Sequence, residues 1–167
     1  MQKLIDTLKH RRRGILFVLK MVPEELWDWR PESSMRSVAE LANHIALAPL
    51  SMLELLRGEL KDGEAFMKLE KENMAPNPRE LTNVYEQSLS KLVSFLEKHI
   101  EDAHEEKIKL FYQDHLTSLY KEIFEEIGHE WFHLGQLSAY LRQKGVPIDM
   151  GVYYGYKDPD PNIPPNK

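Results

Sequence analysis

Residues 118–147 read SLYKEIFEEIGHEWFHLGQLSAYLRQKGVP and carry the clearest structural pattern in the chain. Apolar side chains recur there every three or four positions, which is the period of one buried face of an α-helix. The residues of this face are Leu119, Tyr120, Ile123, Ile127, Trp131, Leu134, Leu137 and Leu141. Gly145 and Pro147 then form a stop signal, because glycine favours a left-handed cap and proline cannot continue a helix. The segment predicts one long helix from about Ser118 to Lys144.

Three earlier segments show the same spacing, so the sequence predicts four long helices. The first helix covers residues 2–21, and the third covers residues 78–100. The second helix begins after Ser37, because Ser37 and Glu40 have the spacing of a capping box, and it ends near Gly58. No segment keeps the alternating period of a β-strand. The pattern therefore indicates an all-α fold, a four-helix bundle.

The connectors define the domain organisation. A charged connector, residues 59–78, separates the second and third helices, and a short helix is expected within it at residues 63–72. This crossover between helices 2 and 3 is longer than an up-and-down bundle requires. The acidic residues 101–107 are expected to form a loop. We expect residues 1–156 to form one bundle domain and residues 157–167 to form a loose, proline-rich tail.

The composition excludes several classes of function. The 167 residues include no cysteine, which excludes disulfide scaffolds, thiolate metal sites and cysteine nucleophiles. The net charge of -5 argues against a duplex-binding module, which normally carries a basic surplus. No apolar stretch approaches the roughly 20 residues of a membrane span, and the first residues do not resemble a signal peptide. We expect a cytoplasmic protein that binds neither nucleic acid nor membrane.

Histidines carry the candidate chemistry. His129 and His133 lie four residues apart on the fourth helix, so both imidazoles share one helix face and could bind one metal ion. His44 lies beside the apolar stripe of the second helix, where it could face the other two. Three imidazoles would leave a fourth coordination position open, as in catalytic zinc sites, although imidazole also suits nickel, iron and copper. The alternative is that these are hydrogen-bonded core histidines.

Two other kinds of metal site fit the sequence poorly. Residues 129–133, HEWFH, match the H-E-x-x-H motif of zinc peptidases. No glutamate follows Glu130 to supply a third ligand, and Gln136 and Ala139 replace the glycine and histidine of the extended motif. A dinuclear carboxylate site needs E-x-x-H on two helices, whereas both copies here lie on the fourth. Glu130 is therefore expected at the surface or behind the metal ligands.

Two stretches resemble the DinB-like/YfiT superfamily of four-helix-bundle metalloproteins: residues 37–45, SVAELANHI, and residues 129–137, HEWFHLGQL. The WRP string at 29–31 and the GVP string at 145–147 are similar too, and the order of elements matches over residues 1–156. The resemblance implies an up-up-down-down bundle with one divalent metal ion on His44, His129 and His133. The superfamily includes metal-dependent thiol S-transferases and thiol-dependent isomerases, and several of its members are homodimers.

These residues lead us to expect a metal-dependent transferase or hydrolase with a small-molecule substrate and zinc or nickel as cofactor. A thiol would have to come from a low-molecular-weight cosubstrate, because the chain lacks cysteine. Gln136 and Tyr140 follow along the histidine face and are candidates to orient a ligand or a histidine nitrogen. Arg12, in an apolar register of the first helix, is a candidate to meet an anionic substrate. The competing hypothesis is a non-catalytic, stress-related bundle in which the metal braces the second and fourth helices.

Overall fold

The computed structural model describes residues 1–99 and 107–160. The helices in chain order are α1 (Gln2–Lys20), α2 (Val38–Leu56), α3 (Gly63–Asn73), α4 (Leu81–Lys98), α5 (Leu119–Gln143) and α6 (Met150–Tyr153). Short 3-10 turns at Glu24–Leu26 and Pro78–Glu80 precede α2 and α4. Two short strands, β1 (Lys107–Ile108) and β2 (Thr117–Ser118), pair antiparallel before α5. The four long helices and the short crossover helix are confirmed. Residues 101–106 of the expected acidic loop and 161–167 of the expected tail lie outside the described residues.

The four long helices form the bundle, in which α1 and α2 each pack against both α4 and α5. Their facing sides share one apolar core, whose fully buried members include Ile5, Ile15, Leu41, Leu92 and Leu137. Burying one such side chain contributes about 1.5–3 kcal/mol, so the core holds α2 and α5 firmly against each other. Within residues 1–99 and 107–160, no helix combines the length and apolarity of a membrane span.

The helices run up-down-down-up, which corrects the up-up-down-down order that the resemblance implied. The backbone N–H of Val38 donates to the carbonyl of Trp29, whose ring packs edge-on against Tyr140 near the end of α5. An ion pair between Arg79 and Glu24 likewise places the start of α4 beside the end of α1. The reason is local: the chain reverses directly after α1, and α3 later carries it back to the same end. Consequently, α2 and α4 run parallel.

The short helix α6 folds back onto α1 at Gly14. A Cβ atom at Gly14 would overlap the backbone carbonyl of Tyr153, so only glycine allows this approach. The ring of Tyr153 also packs against Trp131 of α5, with centroids 5.4 Å apart. The aromatic segment after α5 therefore covers the α1–α5 side of the bundle.

Candidate metal centre

Three histidines from α2 and α5 converge on one point. One ring nitrogen from each of His44, His129 and His133 lies within 4.8 Å of the others. The Nε2 atoms of His44 and His129 are 3.1 Å apart, and the three rings stand nearly perpendicular to one another. The helical spacing of the pair on α5 and the antiparallel packing of α2 together produce this cluster.

Local sequence fixes the position of His44. The Ser37 hydroxyl accepts from the N–H of Glu40 at 3.1 Å, and the Glu40 carboxylate accepts from the N–H of Ser37 at 2.7 Å. This capping box, which the sequence predicted, sets where α2 begins and hence the face on which His44 lies. His44 is buried, whereas His129 and His133 are partly exposed. The cluster is therefore closed on the α2 side and accessible from α5.

Two of the histidines are held by acceptors at Nδ1. His44 Nδ1 lies 2.5 Å from Oε1 of Glu70 on α3, and His133 Nδ1 lies 2.7 Å from Oε1 of Gln136. A carboxylate or amide oxygen only accepts hydrogen bonds, so each Nδ1 donates the proton. In a neutral imidazole, Nε2 then carries the lone pair, which is the tautomer a metal ligand needs.

The third histidine has a looser acidic neighbour. Nδ1 of His129 lies 3.4 Å from Oε2 of Glu126, which is an electrostatic contact longer than a good hydrogen bond. Glu126 is 8% exposed, and its other oxygen, Oε1, has no hydrogen-bond partner among the described residues. A small movement of either side chain would give His129 the same kind of acceptor that the other two histidines have.

The environment keeps His133 neutral. The pKa of His133 is lowered to about 4, mainly by burial and also by the nearby rings of His44 and His129, while the hydrogen bond with Gln136 opposes these effects. At neutral pH the imidazole is therefore unprotonated and able to donate a lone pair. The donor set fits a borderline metal such as zinc or nickel, because three neutral imidazoles suit those ions and leave room for a further ligand.

A cavity of about 750 Å³ opens beside His44 and His129. Apolar side chains form most of its wall, including Met52 of α2, Phe66 of α3 and Phe132 of α5. Three glutamates of α5 also line it, at positions 122, 125 and 126. A volume in this range is typical of pockets that bind small organic molecules. The histidine cluster thus lies at the wall of a space large enough for a substrate.

The candidates other than histidine have separate locations. The structure places Gln136 on His133, as described above, whereas Tyr140 is buried and packs edge-on against Trp29, with ring centroids 5.9 Å apart. Tyr140 therefore packs at the end of the bundle where α2 begins. The hypothesis that it orients a ligand at the histidines gains no contact from the structure.

Arg12 is not at the histidines, and it does not occupy the apolar register assigned to it. Its side chain is 43% exposed and pairs with Glu86 of α4 at 2.5 Å, beside a separate cavity of about 320 Å³. The buried arginine of α1 is its neighbour, Arg11. A register one residue different from the expected one turns Arg11 into the core and Arg12 toward solvent.

Arg11 forms a buried polar cluster with Glu130. Their atoms Nη1 and Oε2 are 3.3 Å apart, and Nη1 also donates to the carbonyl of Ile127. Glu130 is 1% exposed, so the expectation of a surface position is wrong. The pKa of Glu130 is raised to about 8, mainly by burial and also by Glu126, while Arg11 opposes both effects. Because Glu130 points to Arg11 in the core, it is not oriented as the base of an H-E-x-x-H peptidase.

Glu70 is a residue of the site that was not predicted from the sequence. This residue lies 26 positions after His44, on a crossover whose charged composition suggested only a connector. The one local signal is the spacing of Phe66 and Glu70, which places both on the same face of α3. Phe66 indeed packs near His44, with ring centroids 6.3 Å apart.

Comparisons with known proteins agree on one family. The model of the DinB family matches residues 1–164. The protein DinB of Bacillus subtilis (strain 168) is 24% identical over 147 residues, which cover 81% of this chain and 82% of that protein. A DinB-like protein from Bacillus cereus ATCC 10987 has a similar structure, with a TM-score of 0.72 at 15% identity over 89% of this chain and 95% of that chain. A DinB-like protein from Bacillus subtilis gives a TM-score of 0.66 at 19% identity, over 87% and 96% of the two chains. The chain therefore belongs to the DinB family.

Proposed function

We propose that this protein is a divalent-metal-dependent enzyme that transfers a small-molecule thiol to an electrophilic substrate, or hydrolyses that substrate. One observation carries the proposal: three imidazole nitrogens converge on one point, and two of their rings, those of His44 and His129, line a substrate-sized cavity. His44, His129 and His133 would hold the ion, with zinc or nickel as the cofactor. The arrangement suits catalysis, because a three-histidine donor set leaves a coordination position for a substrate.

When bound, the metal supplies Lewis acidity, which lowers the pKa of a thiol or water and presents a nucleophile near neutral pH. Glu70 and Gln136 hold the Nδ1 protons of their histidines and keep the rings in place. The apolar cavity wall excludes bulk water from the substrate. In the transfer, sulfur bonds to an electrophilic carbon, the leaving group departs with the bonding electrons, and the thiol proton passes to solvent. The thiol is a cosubstrate because the chain has no cysteine.

The alternative is a structural metal in a non-catalytic, stress-related bundle. The contact between His44 and Glu70 favours it, because an ion on the three histidines would tie α2, α3 and α5 together. The two functions differ in what removal of the ion does. A structural ion should be required for folding, whereas a catalytic ion should be required for turnover and dispensable for the fold.

The test begins with elemental analysis of untagged protein beside two histidine variants. We expect about one zinc or nickel ion per chain in the wild type, as in a mononuclear three-histidine site. His44→Ala should lose the ion, and His115→Ala should keep it, because His115 is an exposed histidine that is not part of the cluster. Absence of metal after reconstitution would overturn the proposal. Turnover of a panel of thiols and electrophiles that disappears on chelation, with the circular dichroism unchanged, would support catalysis over the structural alternative.

We also propose that the protein is cytoplasmic and forms a homodimer. The absence of cysteine suits a reducing compartment. Phe124 of α5 is 60% exposed and is not part of the cavity wall. An exposed apolar side chain of this kind can pair with its own copy about a two-fold axis. Analytical ultracentrifugation should show a dimer that Phe124→Glu weakens. A monomer at all concentrations tested would contradict this assembly.

A further inference from the structure

We propose that the cavity beside the histidine cluster selects ligands that combine an apolar or aromatic body with a cationic group, and that Glu125 anchors the cation. That such a ligand is the substrate rests on the proposed function, but its binding to the cavity can be measured without metal. It names the substrate class of the site, which the histidines alone do not determine.

The charge of the cavity wall is one-sided. Glu122, Glu125 and Glu126 all line the cavity, whereas no lysine or arginine does so among the described residues. Tyr112, at the mouth, is affected by this negative field: burial and the three carboxylates raise its pKa to about 12. An anionic ligand would meet repulsion from these groups in a partly desolvated space, and a cation would meet attraction.

The three glutamates have different roles. Glu122 is buried and accepts from the hydroxyl of Thr117 at 2.7 Å, so this carboxylate supports the start of α5. Glu126 faces His129. Glu125 is exposed, lines the cavity and has no ion-pair partner among the described residues. It is therefore the carboxylate of the three that is available to a ligand at the mouth.

Unpartnered polar atoms in the wall point independently to a ligand. Ser51 lines the cavity and is 6% exposed, yet its Oγ has no hydrogen-bond partner among the described residues. Oε1 of Glu126 is unpartnered in the same way. Leaving a buried polar group without a partner costs about 1–3 kcal/mol, so a ligand that donates hydrogen bonds here would recover part of that cost. An ammonium group can donate to both oxygens, whereas a carboxylate could only accept from the Ser51 hydroxyl and would be repelled by Glu126.

The apolar wall determines the rest of the ligand. Met52 and Leu55 of α2 and Phe66 of α3 line the cavity, and the exposed side chains of Phe111 and Phe132 extend its apolar surface. Aromatic and aliphatic side chains of this kind bind flat or branched apolar groups through burial of surface. The matching ligand is therefore an amphiphilic amine rather than a sugar or a phosphate ester.

The experiment compares three probes with the same phenylbutyl body: 4-phenylbutylamine, 4-phenylbutanol and 4-phenylbutanoate. Isothermal titration uses metal-free protein, because a carboxylate could otherwise bind the ion. We expect the amine to bind about tenfold more tightly than the carboxylate, as one charge-assisted contact provides. Glu125→Gln should remove most of this preference, whereas Glu32→Gln, a control in the connector before α2, should retain it. Equal binding of amine and carboxylate, or a preference that survives Glu125→Gln, would overturn the proposal.

Two further variants separate this inference from the proposed function. Gly128→Leu introduces a side chain where a Cβ meets open space in the cavity wall, so all three probes should weaken while the melting temperature is kept. Unchanged binding in that variant would place the probes elsewhere and overturn the inference. His44→Ala should lose metal and still prefer the amine. Loss of the amine preference in His44→Ala would overturn the cation site, whereas retention of metal by that variant would overturn the three-histidine site and leave the cation site standing.

Discussion

Replacing Glu70 with alanine should weaken metal binding at the three histidines without unfolding the protein. Glu70 accepts the Nδ1 proton of His44 at 2.5 Å, and this contact fixes both the tautomer and the orientation of the ring. Without the acceptor, the imidazole can rotate or carry its proton on Nε2, and each such state is unable to bind the ion. The cost of selecting the competent state then appears in the measured affinity.

The magnitude follows from the burial of the pair. The side chains of His44 and Glu70 are 6% and 17% exposed, so water replaces the lost acceptor poorly. A hydrogen bond to a charged group contributes about 1.5–3 kcal/mol, which corresponds to about ten- to hundredfold in affinity. Glu70→Gln retains an acceptor oxygen without the charge and should fall between the wild type and Glu70→Ala. The fold should tolerate both, because α3 contains no fully buried residue.

Competition with a chromogenic chelator at one fixed pH measures the affinities directly. Glu72→Ala is the matched control, because Glu72 lies on the same helix and makes only an exposed contact of 3.8 Å with Lys68. Circular dichroism melts report whether each variant folds. If Glu70→Ala and Glu72→Ala bound metal within about twofold of each other, the carboxylate would have no orienting role and the reasoning would be refuted.

Three further predictions concern stability. Because burial raises the pKa of Glu130 to about 8 from the ordinary 4.5, unfolding releases a proton between these values, and stability should fall as the pH rises from 4.5 to 8. Glu130→Gln should flatten that fall in urea titrations across the range. Gly14→Ala should lower the unfolding free energy by about 1–3 kcal/mol, because the added Cβ would overlap the backbone of α6. Gly128→Ala should raise the unfolding free energy by up to about 1 kcal/mol, because its Cβ meets open space in the helix. Equal shifts of the melting temperature in the two variants would contradict this contrast. Asn43→Ala should cost about 2–4 kcal/mol in chemical denaturation, because it removes hydrogen bonds to both backbone groups of Ala75, and a loss below about 0.5 kcal/mol would contradict that accounting.

Local signals made the bundle predictable, but not the directions of its helices. The capping box at Ser37 and the stop signal at Gly145 are read within a few residues, and both mark real helix ends. Helix direction depends instead on where a connector leads. The crossover was recognised as long, yet its length alone did not reveal that α3 runs along the bundle and returns the chain to its starting end.

The candidate site likewise has parts that local sequence predicts and parts that it does not. The spacing of His129 and His133 on one helix brings them together, whereas the place of His44 depended on a resemblance and on packing between two helices. Glu70 has no periodic relation to any of the three. The cavity arises only where three helices meet, so no single segment of sequence encodes it. Arg11 and Arg12 show a further limit: adjacent residues differ by 100° around a helix, and a wide apolar stripe leaves that register ambiguous.

The crossover helix has a consequence for the kinetics of the site. Because α3 covers the bundle without fully burying any residue, its opening should cost much less than global unfolding. The same opening withdraws Glu70 from His44 and Phe66 from the cavity, so ring orientation and ligand access share one local equilibrium. Backbone amide exchange along residues 63–73 should therefore slow when the histidines bind an ion. In a titration with the ion, this slowing should be detectable before any rise in the melting temperature.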